Sequence, residues 1–209
     1  MDKSESKLSR VGRPRRAAAE SHKVIMDAVY ELLQNSSARD LTMEAIAKHA
    51  KVGRPTLYKW WPSKSAILFS MFHERFPHTL LQPSDGSSEE TLRRKVRQLI
   101  QEFNALFGKV MADLIAEGQS EPAVLHDLFE QHISLRRSAA MDDIQKGIVR
   151  GEFRKDIDPS VVVDSIFGPI YYRLLLKHAP LTEKYGDEII SHILKGCRSE
   201  ERVEPRAVL

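Results

Sequence analysis

The segment that most constrains this chain is Leu41 to Lys64, LTMEAIAKHAKVGRPTLYKWWPSK. Thr42 can N-cap a short helix whose first turn carries Glu44, where a negative charge complements the helix dipole. Ile46, Ala47 and Ala50 fall on one face of that helix at a spacing of three to four residues. Lys51-Val52-Gly53 then makes a tight turn. Gly53 can cap a second helix, and Pro55 is tolerated in its first turn because the N–H groups there lack intrahelical acceptors. Leu57 and one face of Trp60 or Trp61 can pack inward, while Arg54, Thr56, Tyr58 and Lys59 remain polar. Pro62 ends the helix, Ser63 caps the next, and Lys64 sits in that next first turn. Two short helices around a tight turn, the second basic and aromatic on one side, suit a helix lying in the major groove of DNA.

The flanks strengthen this reading. Upstream lies Arg10-Val11-Gly12-Arg13-Pro14-Arg15-Arg16, basic, with Gly and Pro and no helical pattern. Such an arm can enter a minor groove, where the negative potential attracts arginine. The net charge of +3 hides an asymmetry: residues 1–64 carry 13 Lys and Arg against 7 Asp and Glu, and the remainder 19 against 22. The basic end is the nucleic-acid end, and the rest has no such bias. Within the hairpin, Arg54 and Lys59 are the long donors, and an arginine can bond a guanine bidentately. Pro55 and Thr56 offer apolar contact to thymine methyls.

Residues 17 to 72 resemble the DNA-binding domain of the TetR/AcrR family of bacterial one-component regulators. The matching runs are Ile25-Met26-Asp27-Ala28-Val29-Tyr30-Glu31-Leu32-Leu33, Leu41-Thr42-Met43-Glu44-Ala45-Ile46-Ala47, Thr56-Leu57-Tyr58 and Pro62-Ser63-Lys64, in the right order and at the right separations. The resemblance implies a dimeric regulator with a ligand-responsive helical domain. It also implies that Thr42, Tyr58 and Lys64 touch the DNA backbone. Two positions depart from the family pattern: Lys51 stands where Gly is usual, and Gly53 where Ser or Thr is frequent at the cap. If the turn at Lys51 is left-handed, a lysine there costs roughly 1 kcal/mol relative to glycine.

Helical spacing dominates the whole chain and strand alternation is nearly absent. The expected fold is all-α: an N-terminal three-helix helix-turn-helix DNA-binding domain plus a C-terminal helical bundle for ligand sensing and dimerisation. The expected divisions are a basic arm over 1–16, the DNA-binding domain over 17–76 with its motif at about 41–61, a linker over 77–88, the helical domain over 89–198 and a flexible tail over 199–209. Val24, Ile25, Ala28, Val29, Leu32 and Leu33 form a first apolar stripe, and Ile67, Leu68, Met71 and Phe72 line one side of a fourth helix. Pro77, Pro83 and a Ser-Asp-Gly-Ser-Ser run mark the boundary. Ser87 and Glu90 form a plausible capping box. Gly108 and Gly118 are candidate helix breaks, and a long helix is expected from Ser120 to about Arg150. Asp158-Pro159 is a strong start signal for an eighth helix, to about His178. Thr182 caps a ninth, which reaches Lys195.

That eighth helix is apolar nearly all round: Val161, Val162, Val163, Ile166, Phe167 and Ile170, then Tyr171, Tyr172 and Leu174 to Leu176. One stripe is enough to join a domain core, so a second needs another surface. A two-fold interface between subunits supplies it, with Phe167, Tyr171, Leu174, Ile189 and Ile193 as its candidates, against the alternative of a central helix buried in one monomer. The run Phe167-Gly168-Pro169-Ile170-Tyr171-Tyr172-Arg173 resembles the C-terminal domain of one TetR subgroup. Phe103, Phe107, Met111, Leu114, Phe129, His132, Phe167 and Tyr171 are large residues on central helices and are the candidates to line a ligand pocket. Such a stripe also serves as plain core.

No metal, cofactor or catalytic residue is expected. His126 and His132 are six apart, His73 and His78 flank Pro77, and no HExxH, paired cysteine or Cys/His spacing occurs. No Ser lies in a nucleophile elbow, no phosphate-loop pattern appears, and the single Cys197 lies near the tail. There is no signal-peptide pattern and no apolar stretch long enough for a bilayer, so a cytoplasmic protein follows as the default. The partners expected are a double-stranded DNA operator, a second copy of the chain and a small-molecule effector. The reading is a ligand-released repressor. A ligand-independent regulator or activator, or a helical small-molecule binding protein, are the alternatives.

Overall fold

The computed structural model describes residues 12–75 and 86–199. The chain divides into two compact units, residues 1–77 and 78–209. Among the described residues the regular structure is helical, with one isolated antiparallel bridge, Phe153 to Arg198.

The first unit holds α1 (Gly12–Asn35), α2 (Met43–His49), α3 (Arg54–Trp60) and α4 (Lys64–Arg75). α1 begins at Gly12, so positions 13, 15 and 16 are helical rather than part of an extended arm. The reason is local. Pro14 falls in the first turn, where its missing N–H costs nothing, and Arg15-Arg16 with three alanines are strong helix formers. The rest of the expected arm, residues 1–11, lies outside the described residues. Ile25, Met26, Ala28, Val29 and Leu33 of α1 are buried. Val24 is 48% exposed and Met26 takes its expected place in the core. α1 packs on α2 and α4, whose Ile46, Ile67, Leu68, Met71 and Phe72 are fully buried. An Arg75–Asp27 ion pair and a His22–Glu74 hydrogen bond reinforce the α1–α4 contact at its edge.

The second unit holds α5 (Ser88–Phe103), α6 (Leu106–Gly118), α7 (Pro122–Leu128), α8 (Ser134–Val149), α9 (Pro159–Leu176) and α10 (Glu183–Lys195). The start signals act as their chemistry requires. Ser87 Oγ accepts from the Glu90 N–H at 3.2 Å while Glu90 accepts from the Ser87 N–H at 3.1 Å. Asp158 accepts from Ser160 N–H, and Thr182 from Tyr185 N–H. Most of the expected linker, residues 77–85, and all but the first residue of the expected tail lie outside the described residues.

Two expectations about helix breaks need correction. The α5–α6 corner is at Asn104 and Ala105, not at Gly108, which sits in the first turn of α6. The Asn104 amide donates to Leu181 O at 2.9 Å. A Cβ at Gly108 would lie 2.0 Å from the Phe103 carbonyl oxygen, so glycine is what lets the corner close. The long helix from 120 to 150 is divided by a π turn, Phe129–Ile133, between α7 and α8. The extra residue rotates the faces on either side of it. Its consequence is that His132 is buried and Phe129 is 44% exposed.

α5 is the central rod, packed by α10, α6 and α8. Apolar burial is supplemented by two charged pairs joining it to α8: Lys95 with Asp143, and Arg136 with Glu102 at 2.7 Å. Cys197 is buried and not in a frayed tail. Its carbonyl accepts from Arg154 N–H at 2.8 Å, which ties the end of α10 to the 152–154 loop.

Candidate nucleic-acid interface and cavity

α2 and α3 form the expected helix-turn-helix. Thr42 caps α2, its Oγ1 accepting from Ala45 N–H at 3.1 Å. The turn passes through Lys51 at φ 55°, in the left-handed region. This is the conformation glycine adopts without penalty, so the strain foreseen for lysine is present. Lys51→Gly should therefore stabilise the protein by about 0.5–1 kcal/mol, the relief being partly offset by the freer unfolded chain. An unchanged urea midpoint would show the turn to be unstrained.

Gly53 N-caps α3 through its backbone, and Pro55 sits in the first turn. Leu57 is fully buried and anchors the helix; Trp61, 4% exposed, closes its C-terminal end. Of the two tryptophans it is Trp61 that packs inward, its indole N–H donating to Ser70 Oγ at 2.7 Å. Trp60 is about half exposed. Helical spacing puts Pro55 and Lys59 on the side opposite Leu57, and both are exposed. Tyr58 is exposed and Thr56 half-buried. Arg54 is exposed at the start of α3, at the edge of this face, with its guanidinium paired to Glu44 of α2. This partner was not foreseen. Both groups are more than half exposed, so the pair is weak and a guanine edge can compete for the arginine. Lys64 is half-buried in the first turn of α4, beside the Ser63 cap. Arg54, Pro55, Thr56, Tyr58 and Lys59 are thus brought together on one short helix, flanked by Thr42 and Lys64.

The second unit contains a cavity of about 330 Å³ between α5, α8 and α9. Leu99, Ile133, Val163, Phe167 and Tyr171 form its apolar walls. Burial pushes the Tyr171 phenol up to about 12, the nearby Arg136 and Glu102 charges acting in opposite senses, so its hydroxyl stays protonated. Of the residues expected to line a pocket, only Phe167 and Tyr171 do so directly. Phe103 supports Tyr171 edge-to-face at 5.1 Å and stacks on Phe107 at 5.7 Å, and Phe107 meets His132 at 5.1 Å. Phe107, Met111 and Leu114 are fully buried core residues. Phe129 is turned to solvent by the π turn and is withdrawn as a lining residue. Lys95, Arg136, Arg137 and Asp164 also line the cavity. Sequence reasoning missed them because charged residues on amphipathic helices ordinarily face water.

α9 presents a second apolar surface. Val161, Tyr172, Leu175 and Leu176 are 61%, 57%, 42% and 58% exposed. Together with Gly168, whose surroundings are open, they follow one side of the helix. The expected interface residues divide differently. Leu174 and Ile189 are 7% and 8% exposed, inside the subunit, because the inner face of α9 and the apolar face of α10 close its own core. Ile193 is half-buried, and Phe167 and Tyr171 line the cavity.

Among the described residues no group of three or more His, Cys, Asp or Glu could hold a metal ion, and no helix is long and apolar enough to cross a membrane.

Comparison with known proteins gives a consistent result. Residues 25–71 match the family model described as bacterial regulatory proteins, tetR family, and residues 82–193 match a tetracyclin repressor-like C-terminal domain. The uncharacterized HTH-type transcriptional regulator YdeS of Bacillus subtilis (strain 168) is 32% identical over 196 residues, covering 94% of this chain and 98% of its own. Among solved structures, the TetR family transcription regulator SCO0332 superposes with a TM-score of 0.71 at 27% identity, covering 86% of this chain and 100% of that one. The transcriptional regulator FadR from Bacillus subtilis, solved in complex with stearoyl-CoA, superposes with a TM-score of 0.68 at 18% identity over 85% of this chain and 100% of its own, which shows a shared fold.

Proposed function

The chain belongs to the TetR family of bacterial regulatory proteins, and on that premise we propose that it is a homodimeric repressor, released from a palindromic operator when a small molecule enters the cavity of its helical domain. Family members are transcription regulators, typically ligand-responsive repressors that bind DNA as dimers. The observation that carries the proposal is the pairing of an exposed basic α3 in one unit with an apolar cavity in the other.

In this mechanism two copies join through the exposed stripe of α9. Their α3 helices then enter successive major grooves, about one turn of DNA apart. Arg54 exchanges Glu44 for a guanine edge, Lys59 and the Pro55 and Thr56 surfaces face bases, and Thr42, Tyr58 and Lys64 hold phosphates. A ligand that favours another separation of the two α3 helices weakens DNA binding by the same coupling free energy with which DNA weakens ligand binding. The protein acts in the cytoplasm, where its DNA is, and requires no cofactor or catalytic residue.

The test is selection of a binding site from random DNA, followed by titration of variants. Arg54→Ala should lower operator affinity and relax preference at one base pair per half-site, a discrimination of about 1–3 kcal/mol. Lys64→Ala should weaken all sequences alike and make the salt dependence shallower by roughly one counterion per subunit. An Arg54→Ala site profile identical to that of the wild type would remove this residue from base readout.

A further inference from the structure

We infer that the cavity of the second unit is built for an amphipathic carboxylic acid, its head group taken by the side-on edge of Arg136 and its apolar body by the walls. The inference deepens the ligand-release reading and rests on it for its regulatory meaning.

Three cations line the cavity, and two of them each hold a carboxylate and at least one further partner. Lys95 holds Asp143 and donates to Ala139 O at 3.1 Å. Arg137 reaches Asp164 at 3.2 Å, Ser160 at 2.5 Å and the Met141 sulfur at 3.0 Å. Arg136 differs. Its Nη1 donates to Glu102 at 2.7 Å, whereas Nε and Nη2 are buried without a hydrogen-bond partner. Those two N–H groups form the side-on fork of the guanidinium, which matches the two oxygens of a carboxylate. Beside Glu102 the guanidinium also meets a ring face, its carbon lying 5.5 Å from the centroid of Phe107.

A buried, charged donor pair with no acceptor is costly, and such groups are rare in folded proteins unless something else completes them. An apolar ligand would fill the volume and leave that cost in place. A ligand with two acceptor oxygens removes it. The local charge argues against a dianion, because each cation of the wall already faces one carboxylate; the case for a carboxylate rests on the fork. One further negative charge leaves the wall at −1, and a phosphate dianion would leave it more negative still. The apolar walls and the volume of about 330 Å³, near the lower end of small-molecule sites, select a compact aryl or alkyl body. Because the fork is covered in this structure, binding is expected to shift Arg136 towards the cavity.

The experiment is calorimetric titration of the full-length protein with matched probes. The acids are the phenylalkanoates from phenylacetate to 6-phenylhexanoate and the alkanoates from hexanoate to dodecanoate, each beside its amide and its amine. At least one acid should bind, and its amide and amine should be at least about tenfold weaker, the loss expected when a hydrogen-bonded charge is removed. Arg136→Lys, which keeps the charge beside Glu102 but not the fork, should weaken that acid by at least about tenfold and leave the amide unchanged. Amides or amines that bind as well as the acids, acids that bind Arg136→Lys as well as the wild type, or no binding by any acid would each overturn the inference. The comparison of probes on the wild type stands even if the variant folds poorly. The same probes are then added to the protein on its operator. An acid that binds with the stated selectivity but leaves operator affinity unchanged counts against ligand release alone. An amide that releases the operator supports ligand release and overturns this assignment.

Discussion

A Tyr172→Glu, Leu175→Glu double variant is expected to be a folded monomer that no longer binds its operator. Both side chains are largely exposed in the isolated subunit, 57% and 42%, so their replacement leaves the subunit core intact. In a two-fold interface each substitution acts twice, and each carboxylate buried without a partner costs several kcal/mol. Four charges brought together exceed what an interface of ordinary size can absorb. The operator is then lost, because one α3 alone makes half of the base and phosphate contacts. Sedimentation decides the matter. A wild-type protein that is monomeric at micromolar concentration defeats the dimer, and a double variant that stays dimeric defeats the assignment of this face. Leu174→Glu would be a poor substitute: Leu174 is buried within its own subunit, and the charge would unfold it.

Trp61→Ala should cost about 3–5 kcal/mol, as for other large aromatic side chains cut back in a core, set against a typical total of about 5–15 kcal/mol. Trp61 caps the C-terminal end of α3, donates to Ser70 of α4, and its ring lies 5.1 Å from His22 of α1. It therefore joins Leu57 in fixing α3 to the rest of its unit. Operator binding should be lost together with a low-temperature melting transition of the first unit. Trp60→Ala, at a site about half exposed, should leave the melting curve close to that of the wild type. If Trp61→Ala melted like Trp60→Ala, the orientation of α3 would have to be set elsewhere.

Much of this molecule is legible from short-range chemistry. The all-α class and the positions of α2, α3, α5, α9 and α10 follow from caps at Thr42, Gly53, Ser87, Asp158 and Thr182 and from apolar spacing. The exposed residues of α3 are legible for the same reason: a seven-residue helix with one buried anchor, Leu57, leaves little choice about which side faces out. The left-handed turn at Lys51 was legible through the resemblance to a family that places glycine there.

What lies beyond such signals was decided by tertiary contact. Gly108 looks like a helix break, and only the approach of α6 to the Phe103 carbonyl shows that it is the residue that lets the corner close. An uninterrupted helical pattern gives no sign of the π turn, yet that one extra residue sends Phe129 outward and His132 inward. α9 is apolar on nearly every side, so periodicity cannot distinguish its three surfaces; packing assigns Leu174 to the core, Phe167 and Tyr171 to the cavity, and Tyr172 and Leu175 to the exposed stripe. Arg136 is the extreme case. On the sequence it is one charge among many, and its incomplete hydrogen bonding exists only because α5, α8 and α9 close around it. Caps, turns and periodicity are properties of neighbours along the chain, and the sequence by itself determines them. Which face is buried, and which polar group is left without a partner, depends on residues far apart in the chain, and the folded structure alone decides it.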